Sequence, residues 1–555
     1  MTNLQDSYDY VVCGGGSAGC VVAARLSEDP NHSVLLLEAG PSDLDWLDTH
    51  IPSLTATLQR SKIDWDYKCK IKGKSYLAYE DVRWTRGKVL GGCGSHNAMA
   101  YTRCSAADYD SWEKLGCEGW SWKDVLPYFL KAENDICPGF AGSELHNIGG
   151  PVTISTPHRP TAVSSAFIQA GLELGYKTVD VMSGDIIGFG DFPATIDADG
   201  KRASTARAYV HPAMKRSNFT VLCNTHVTKV DIQDKKAVGV FFRTDVGDKR
   251  VAVNKEVIVS GGAVNSPQLL LLSGVGPKSH LEEFGIECVA DLPVGQNLQD
   301  HLCMHMKVSV KAGSQVNTFS NFPVDNNGAE ATGFIQTGLE EPNVDSPDMQ
   351  LVYTGGFFPF GIDEDKIFVL KNPKFQPILS QNMPREERLV KEGFTIFPIF
   401  IHPKSVGEIK LASADPMAQP FIDPNYFDHH YDVKAMIKGI RVAKQLLETK
   451  AMVPFECKLN CLKMPGSKDD EWSDENLEAY ARHYACTLYH PTSTCKMGAK
   501  DDPTAVVDPQ LRVRGIEGLR VIDASIMPNV TSGNTNAPCI MIGEKGADLI
   551  INGGK

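Results

Sequence analysis

The chain has 555 residues, of which 42% are hydrophobic and 22% are charged, and its formal net charge is −13. This is an ordinary globular composition, and the length suggests two or more core-bearing units. With an acidic balance and no basic block, nucleic acid and anionic membrane surfaces are not expected partners. No run of about 18 apolar residues occurs, so no membrane span is expected.

The 15 cysteines are scattered and form no C-x-x-C pair. We therefore predict no metal site. The first six residues are polar and lack the cationic start and apolar core of a signal peptide. The expected location is cytoplasmic, or secreted if a signal peptide has been removed.

The N-terminal segment predicts a strand, a tight turn and a helix. Gly14, Gly16 and Gly19 follow an apolar run at G-x-G-x-x-G spacing. In such a turn the first glycine allows the bend, the second lets the backbone approach a pyrophosphate, and the third lets helix and strand pack closely. A second apolar run, 33–37, ends at Glu38, whose carboxylate is placed for ribose hydroxyls and would repel a ribose phosphate. The segment predicts a dinucleotide site that disfavours NADP and leaves NAD and FAD open.

The remaining elements follow in chain order. Patterns along the chain predict helices at 108–112 and 122–131, strands at 219–222, 225–230 and 256–259, and an apolar helix that opens at Ser266-Pro267 and closes at Gly274. From about 306 to 494, strands are predicted at 394–401 and 408–411 and helices at 431–447 and 474–485. The last segment predicts a strand at 519–522 and a helix from about 538 to 551.

These patterns predict an α/β protein, α+β overall, with two discontinuous domains. Residues 1–155, 203–305 and 495–555 are assigned to a Rossmann-like dinucleotide-binding domain. Residues 156–202 and 306–494 are assigned to a substrate domain, with an antiparallel sheet flanked by helices.

Several motifs together resemble the glucose–methanol–choline (GMC) family of flavin oxidoreductases over essentially the whole chain. Beyond the first glycines and Glu38, they are the segments 91–97 (Gly-Gly-Cys-Gly-Ser-His-Asn), 262–267, 273–276, 294–301, 489–491, 523–525 and 534–538, in the family's order. The resemblance implies a Rossmann-like FAD-binding domain, and FAD rather than NAD as the cofactor.

The resemblance also implies which residues contact FAD. They are Gly14, Gly16, Ser17, Ala18, Gly19, Glu38, Ala39, Arg86, Val89, Gly91, Gly92, His96, Asn97, Ala98, Met99, Ala100, Val227, Tyr489, Asp523, Ala524, Asn534, Thr535 and Asn536. Asn536 is expected at the pyrimidine edge of the flavin. His96 resembles the choline oxidase version of the motif, so we expect a covalent histidyl-FAD. The plainer alternative is a histidine that hydrogen-bonds in a glycine-rich turn. Gly94 replaces a serine of the family.

The family's catalytic pair falls on His490 and Asn534. Alcohol oxidation removes a proton from oxygen and a hydride from carbon. An imidazole, whose pKa is near 6.5, can take the proton at neutral pH. Asn534 can donate a hydrogen bond to the developing alkoxide. By composition, His301 and His483 are nearby alternatives to His490.

The expected reaction is FAD-dependent oxidation of an alcohol to an aldehyde or ketone, with dioxygen as acceptor and hydrogen peroxide as product, in a monomer or homodimer. Cys303 stands where choline oxidases carry a glutamate, which argues against choline. The segments 357–360 and 397–400 are rich in phenylalanine. If they line the pocket, they favour an uncharged, partly apolar or aromatic alcohol. The alternatives are a choline or sugar oxidase or dehydrogenase that uses another acceptor, such as a quinone, and a redox-silent relative of the hydroxynitrile lyase type.

Overall fold

The structure is a computed structural model that describes residues 4–70, 81–139, 143–156, 160–314, 316, 325–339, 345–355, 393–459, 462, 464 and 470–553. The strands are β1 (Ser7–Cys13), β2 (Val34–Leu37), β3 (Tyr67–Lys70), β4 (Asp81–Trp84), β5 (Glu133–Asp135), β6 (Val152–Ile154), β7 (Gly188–Asp191), β8 (Phe219–Leu222), β9 (His226–Gln233), β10 (Lys236–Thr244), β11 (Gly247–Val259), β12 (Leu302–Cys303), β13 (Met306–Ser309), β14 (Ala329–Ile335), β15 (Met349–Gly355), β16 (Gly393–Phe400), β17 (Glu408–Lys410), β18 (Phe421–Asp423), β19 (Lys458–Leu459), β20 (Cys486–Thr487) and β21 (Leu519–Val521).

The helices are α1 (Ser17–Leu26), α2 (Thr55–Leu58), α3 (Ala106–Lys114), α4 (Trp122–Ala132), α5 (Ala162–Glu173), α6 (His211–Ala213), α7 (Gly262–Leu272), α8 (Lys278–Glu283), α9 (His430–Leu447), α10 (Asp474–Tyr484) and α11 (Asn536–Ile551). Short 3₁₀ turns lie at Asp43–Asp45, Leu47–His50, Pro52–Leu54, Gly92–Ser95, Val453–Phe455 and Ala524–Ile526, and a π-helical turn lies at Ala206–Val210. Among the helices described, none is long and apolar enough to cross a bilayer.

The first sheet positions the glycine turn. Its strand order is β8-β2-β1-β11-β10-β9, with β21 also paired to β11. The pairs among β8, β2, β1, β11 and β21 are parallel, whereas β10 and β9 continue as an antiparallel hairpin. Helices α1 and α11 pack against each other beside the sheet, where a Cβ on Gly543 would lie 2.9 Å from the Ala18 carbonyl oxygen. Covering by helices is what a parallel sheet requires, and all four residues of β2 are buried.

The second sheet is antiparallel, with the order β19-β13-β16-β15-β14-β7 and with β12 joining β16 to β20. Helices α5 and α9 cover one face. The predicted fold class, an α/β domain with a second antiparallel sheet flanked by helices, is therefore confirmed. The domain boundaries stay a prediction. The short strand β12 lies in the second sheet, although the boundary predicted at 305 placed it with the first, because its backbone pairs with Phe400 and Thr487.

Helix α7 begins at Gly262, four residues before the start predicted at Ser266, and contains Pro267. A proline inside a helix lacks the N–H that would bond the carbonyl four residues earlier. That carbonyl belongs to Ala263, and it accepts a hydrogen bond from the Thr494 hydroxyl at 2.7 Å. A distant side chain therefore supplies the missing donor. Helix α11 also begins earlier than predicted, at Asn536.

Candidate active site

The first glycine turn is built by backbone contacts that exclude side chains. Gly14 has φ +111°, and a Cβ there would lie 2.4 Å from the Ser260 carbonyl oxygen. A Cβ on Gly19 would lie 2.0 Å from the Gly14 carbonyl oxygen. At Gly16, by contrast, the nearest atom would be the Ser260 oxygen, at 3.9 Å. The middle glycine thus presents an open face, next to the start of α1, which no side chain caps. An uncapped helix N-terminus suits an anion.

Glu38 closes the side of this turn. Its carboxylate accepts hydrogen bonds from the backbone N–H groups of Gly15 and Gly40, each at 2.8 Å. Burial raises the pKa of Glu38 to about 7. The Glu38 carbonyl, next to Ala39 in the chain, accepts from the Thr225 N–H at 2.8 Å, which brings the start of β9, the strand that carries Val227, close to Glu38.

The second glycine segment packs directly on the first. The Gly91 N–H donates to the Gly15 carbonyl at 2.7 Å, and a Cβ on Gly92 would lie 2.7 Å from the Gly16 Cα. A Cβ on Gly94 would lie 2.9 Å from the Ser17 hydroxyl, so a serine at position 94 would crowd Ser17.

Ser17 also joins the segment to α11. Its hydroxyl donates to the Asn536 side-chain oxygen at 2.7 Å. Thr535 precedes α11 and its side chain does not cap the helix. The uncapped N-termini of α1 and α11 therefore meet beside the segment that carries His96.

His96 is 4% exposed, and its Nε2 lies 3.0 Å from the Leu58 carbonyl oxygen. A carbonyl only accepts, so Nε2 carries the proton, and in the neutral ring Nδ1 keeps its lone pair. Burial lowers the pKa of His96 and favours this neutral form. Val89 packs with Leu58 in a small buried cluster.

Arg202, which the sequence analysis did not single out, fixes the segment around His96. Its buried guanidinium donates to the carbonyls of Thr49 and Asn97 and to the Asn97 side-chain oxygen. The Asn97 side chain also accepts from the Met99 N–H. Met99 has φ +61°, and Ala100 bridges to Ala194. The carbonyl of Ala98 accepts from the Asn327 amide at 2.8 Å. Arg202 belongs to no recognisable sequence motif, so its buried position and its role could not be predicted from the sequence.

His490 lies in a hydrogen-bonded chain of three groups. The Nε2 of His301 lies 3.0 Å from the Ile401 carbonyl oxygen, so this nitrogen donates. The Nδ1 of His301 then accepts from the Nδ1–H of His490, 3.0 Å away. Consequently the Nε2 of neutral His490 carries a lone pair. The Nδ2 of Asn534 lies 3.4 Å from that nitrogen.

The electrostatics keep His490 neutral. Burial, followed by the electrostatic effects of His301 and Arg86, lowers the pKa of His490 well below its usual value. The Oδ1 atom of Asn534 is buried and has no hydrogen-bond partner among the described residues. A lone pair, an amide donor and an unused acceptor thus converge where an alcohol could bind.

The backbone before His490 is held in a strained conformation. Tyr489 has φ +63°, a region that non-glycine residues rarely occupy. Its N–H donates to the Thr487 hydroxyl at 2.8 Å, and its carbonyl accepts from Arg86 at 2.6 Å. The His490 N–H donates to Asp300 at 2.8 Å. A strained backbone conformation that several hydrogen bonds hold in place is typical of functional sites.

Asp523 binds the start of α7. Its carboxylate accepts from the N–H of Gly262 and the hydroxyl of Ser266, and also from the N–H of Ser525, one residue beyond Ala524. His483, the other alternative considered for the base, lies on α10 and contacts the Ala479 carbonyl of its own helix. His301 does reach the site, as the partner of His490.

The phenylalanines of β16 divide between the two faces of the second sheet. Phe397 belongs to the core shared with the first sheet, whereas Phe400 packs against Tyr431 of α9. Phe397 and Phe400 therefore lie on opposite faces of the sheet, because alternate strand residues face opposite ways, so the two rings cannot line one pocket together. The segment 357–360 lies outside the described residues.

The residues present fit a dinucleotide cofactor. The described residues leave three features of the site open to a ligand. They are the open face of Gly16, the uncapped N-termini of α1 and α11, and the buried Oδ1 atom of Asn534, which has no hydrogen-bond partner among the described residues. Gly14, Gly16, Ser17, Ala18 and Gly19 would hold phosphates, and Asn534, Thr535 and Asn536 would lie beside the ring system. Each individual contact stays a prediction.

Comparisons with known proteins agree with this geometry. The family models for the N- and C-terminal parts of GMC oxidoreductases match residues 8–303 and 403–543. The chain is 38% identical to the mitochondrial choline dehydrogenase of Homo sapiens, covering 98% of this chain and 90% of that one. It is 39% identical to an alcohol dehydrogenase [acceptor] of Pseudomonas putida, covering 98% and 96%. A structure of Aspergillus oryzae formate oxidase, which concerns FAD modification, superposes with a TM-score of 0.85 at 28% identity, covering 99% of each chain.

Proposed function

This chain belongs to the GMC oxidoreductases and depends on FAD, and from that premise we propose that it oxidises an uncharged, partly apolar or aromatic alcohol, with His490 as the general base. The observation that carries the proposal is the hydrogen-bonded chain from Ile401 through His301 to His490. It leaves a lone pair on the Nε2 of His490, beside Asn534.

His490 accepts the hydroxyl proton of the alcohol at Nε2. A positioned general base of this kind contributes about 10²–10⁴-fold to the rate. Asn534 donates from Nδ2 to the oxygen as it gains negative charge. His301 keeps the proton of His490 on Nδ1 throughout. FAD, when bound, would supply the acceptor for the hydride of the alcohol carbon.

The substrate class is proposed from Cys303 and Phe397. Cys303 is 1% exposed and offers no carboxylate to a quaternary ammonium. The ring of Phe397 lies on the face of the second sheet that joins the first core. Both features favour an uncharged alcohol over choline.

The test is an anaerobic screen in which a panel of alcohols is mixed with the enzyme and bleaching of the flavin absorbance is followed. We expect aromatic and medium-length aliphatic alcohols to bleach the flavin, and His490→Ala to slow bleaching by about 10²–10⁴-fold. Preferential bleaching by choline would refute the substrate proposal. If no alcohol bleaches the flavin, the redox-silent alternative gains support.

The acceptor is proposed to be dioxygen, with hydrogen peroxide as the product. A second candidate, a quinone or other acceptor, is favoured by the relatives at 38–39% identity, which are named as dehydrogenases. Mixing the reduced enzyme with air separates the two. Reoxidation at the rate of turnover supports an oxidase, whereas reoxidation much slower than turnover with an added quinone supports a dehydrogenase.

We also propose that His96 forms a covalent bond to FAD. The support is the neutral imidazole, whose Nδ1 is not engaged by Leu58. Bond formation removes one hydrogen from the imidazole and one from the flavin, and the two electrons pass to the terminal acceptor. Acid precipitation should leave the flavin on the wild-type protein and release it from His96→Ala. Release from the wild type would contradict the bond.

A further inference from the structure

Cys303, His305 and Cys486 form a cluster of three potential metal ligands, none of which takes part in the proton or hydride transfer proposed above. The Cys303 and Cys486 sulfurs are 3.5 Å apart, and the Cys486 sulfur lies 3.1 Å from Nε2 of His305. All three ligand atoms lie within 4.8 Å of one another. We propose that these three side chains bind a zinc ion or a similar soft divalent metal.

The spacing is close to that of a zinc site. With Zn–S near 2.3 Å and Zn–N near 2.05 Å, a tetrahedral site places its sulfurs about 3.8 Å apart and sulfur and nitrogen about 3.6 Å apart. The sulfur–sulfur distance of 3.5 Å and the sulfur–nitrogen distance of 3.1 Å therefore need to open by only a few tenths of an ångström. Thiolate and imidazole select zinc over magnesium or calcium, which prefer oxygen.

The backbone holds the ligands in place. Cys303 and Cys486 are directly opposed in the antiparallel pair of β12 and β20, so their side chains leave the same face of the sheet. The His305 ring packs edge-on against Phe397, with ring centroids 4.6 Å apart. Little reorganisation is needed for the metal to bind.

Charge also favours a metal here. Cys303 is fully buried and Cys486 is partly buried. Two thiolates neutralise a divalent cation, so the occupied site has no net charge, which limits the cost of burial. Three protein ligands leave the fourth position for water or another small ligand, the arrangement of open zinc sites.

The location gives the metal a consequence. Cys303 follows His301 by two residues and Cys486 precedes His490 by four. A metal would therefore cross-link β12, which follows His301, and β20, which precedes His490.

The test uses the FAD-loaded, thiol-reduced protein, stripped with a chelator and then dialysed against zinc or cobalt. We expect about one metal ion per chain by elemental analysis. We also expect cobalt to produce the intense red-region bands of a tetrahedral thiolate site, beyond the flavin absorption. These readouts do not depend on alcohol oxidation, so failure of the proposed function would leave them unchanged.

The variants are Cys486→Ser and His305→Gln, with Cys288→Ser as the control for a partly exposed cysteine elsewhere. Removing a residue that only hydrogen-bonds to a metal ligand lowers metal affinity by about 10–100-fold. Removing a ligand itself should therefore weaken zinc binding at least about 100-fold. Retention of flavin and circular dichroism report folding, and the cobalt spectrum of the wild type stands independently of any variant.

Three results would overturn the proposal. They are a metal content far below one per chain, equal metal retention by the ligand variants and the control, and a Cys303–Cys486 disulfide in freshly purified protein that retains no metal.

Discussion

Replacing His301 with alanine tests the chain of hydrogen bonds that prepares the base. In the wild type, the Nδ1–H of His490 donates to His301 at 3.0 Å. Without that acceptor, a buried N–H is left unpaired, at a cost of about 1–3 kcal/mol. The ring relieves the cost by moving its proton to Nε2, where the lone pair is then lost.

The cost converts directly into a rate. At about 1.4 kcal/mol per tenfold, 1–3 kcal/mol lowers the fraction of base-competent His490 by about 5–150-fold. The rate constant for flavin reduction, measured by anaerobic stopped-flow with a substrate from the alcohol screen, should fall by that factor. His301→Gln should recover much of the rate, because its amide offers an acceptor for His490 and a donor for the Ile401 carbonyl.

His280→Ala is the matched control. His280 is also buried and accepts one backbone hydrogen bond, from Leu411 at 3.0 Å, but it lies on α8 outside the site. We expect it to lower stability without changing flavin reduction. Wild-type reduction by a folded, FAD-loaded His301→Ala enzyme would refute the role of the pair.

The remaining predictions concern pH and packing. Burial, His301 and Arg86 lower the pKa of His490, whose backbone N–H donates to Asp300. The base should therefore stay unprotonated, and kcat/KM should stay level, from about pH 8 down to about pH 6. A fall in kcat/KM with a midpoint near pH 6.5, the pKa of a free imidazole, would contradict this. Gly19→Ala should destabilise the flavin-free protein by about 1–3 kcal/mol, since its Cβ meets a backbone oxygen at 2.0 Å. Gly16→Ala, with open space before it, should keep the same thermal midpoint and bind FAD more weakly; equal FAD titrations for Gly16→Ala and wild type would argue against a phosphate there. Burial alone would lower the pKa of His146, but hydrogen bonds to Asp135, Asp180 and Glu133 raise it to about 11. Because the pKa of His146 is higher in the folded state than its unfolded value near 6.5, the protonated imidazole stabilises the fold fully below about pH 6.5, and this stabilisation is lost as the pH rises towards about 11. The free energy of unfolding, measured with urea, should therefore fall from about pH 7 to about pH 10, and it should fall less in His146→Gln.

Local features of the site were predictable because the backbone itself imposes them. The spacing of Gly14, Gly16 and Gly19 indicated a turn in which two Cβ atoms would clash and one position stays open, and the contacts have that pattern. The family resemblance and the fold class are likewise confirmed.

Features that depend on distant partners were not predictable. The start of α7 was placed late because the hydroxyl that satisfies Ala263 comes from Thr494, 231 residues away. The alternating residue pattern of β16 predicted a strand, but it did not show on which face of the sheet Phe397 would lie. Cys303 and Cys486 are separated by 183 residues, so no local cysteine spacing indicates that they lie together.

The contact between Ser17 and Asn536 spans 519 residues, nearly the whole chain. The ribosome adds about 5–20 residues per second, so roughly 25–100 s separate the synthesis of these two partners. During that interval the N-terminal glycine turn has emerged without the helix that completes its surroundings, and in the earlier part of it β1 also lacks its neighbour β11. The surroundings of the glycine turn are therefore complete only after α11 has been synthesised, long after the turn itself has emerged.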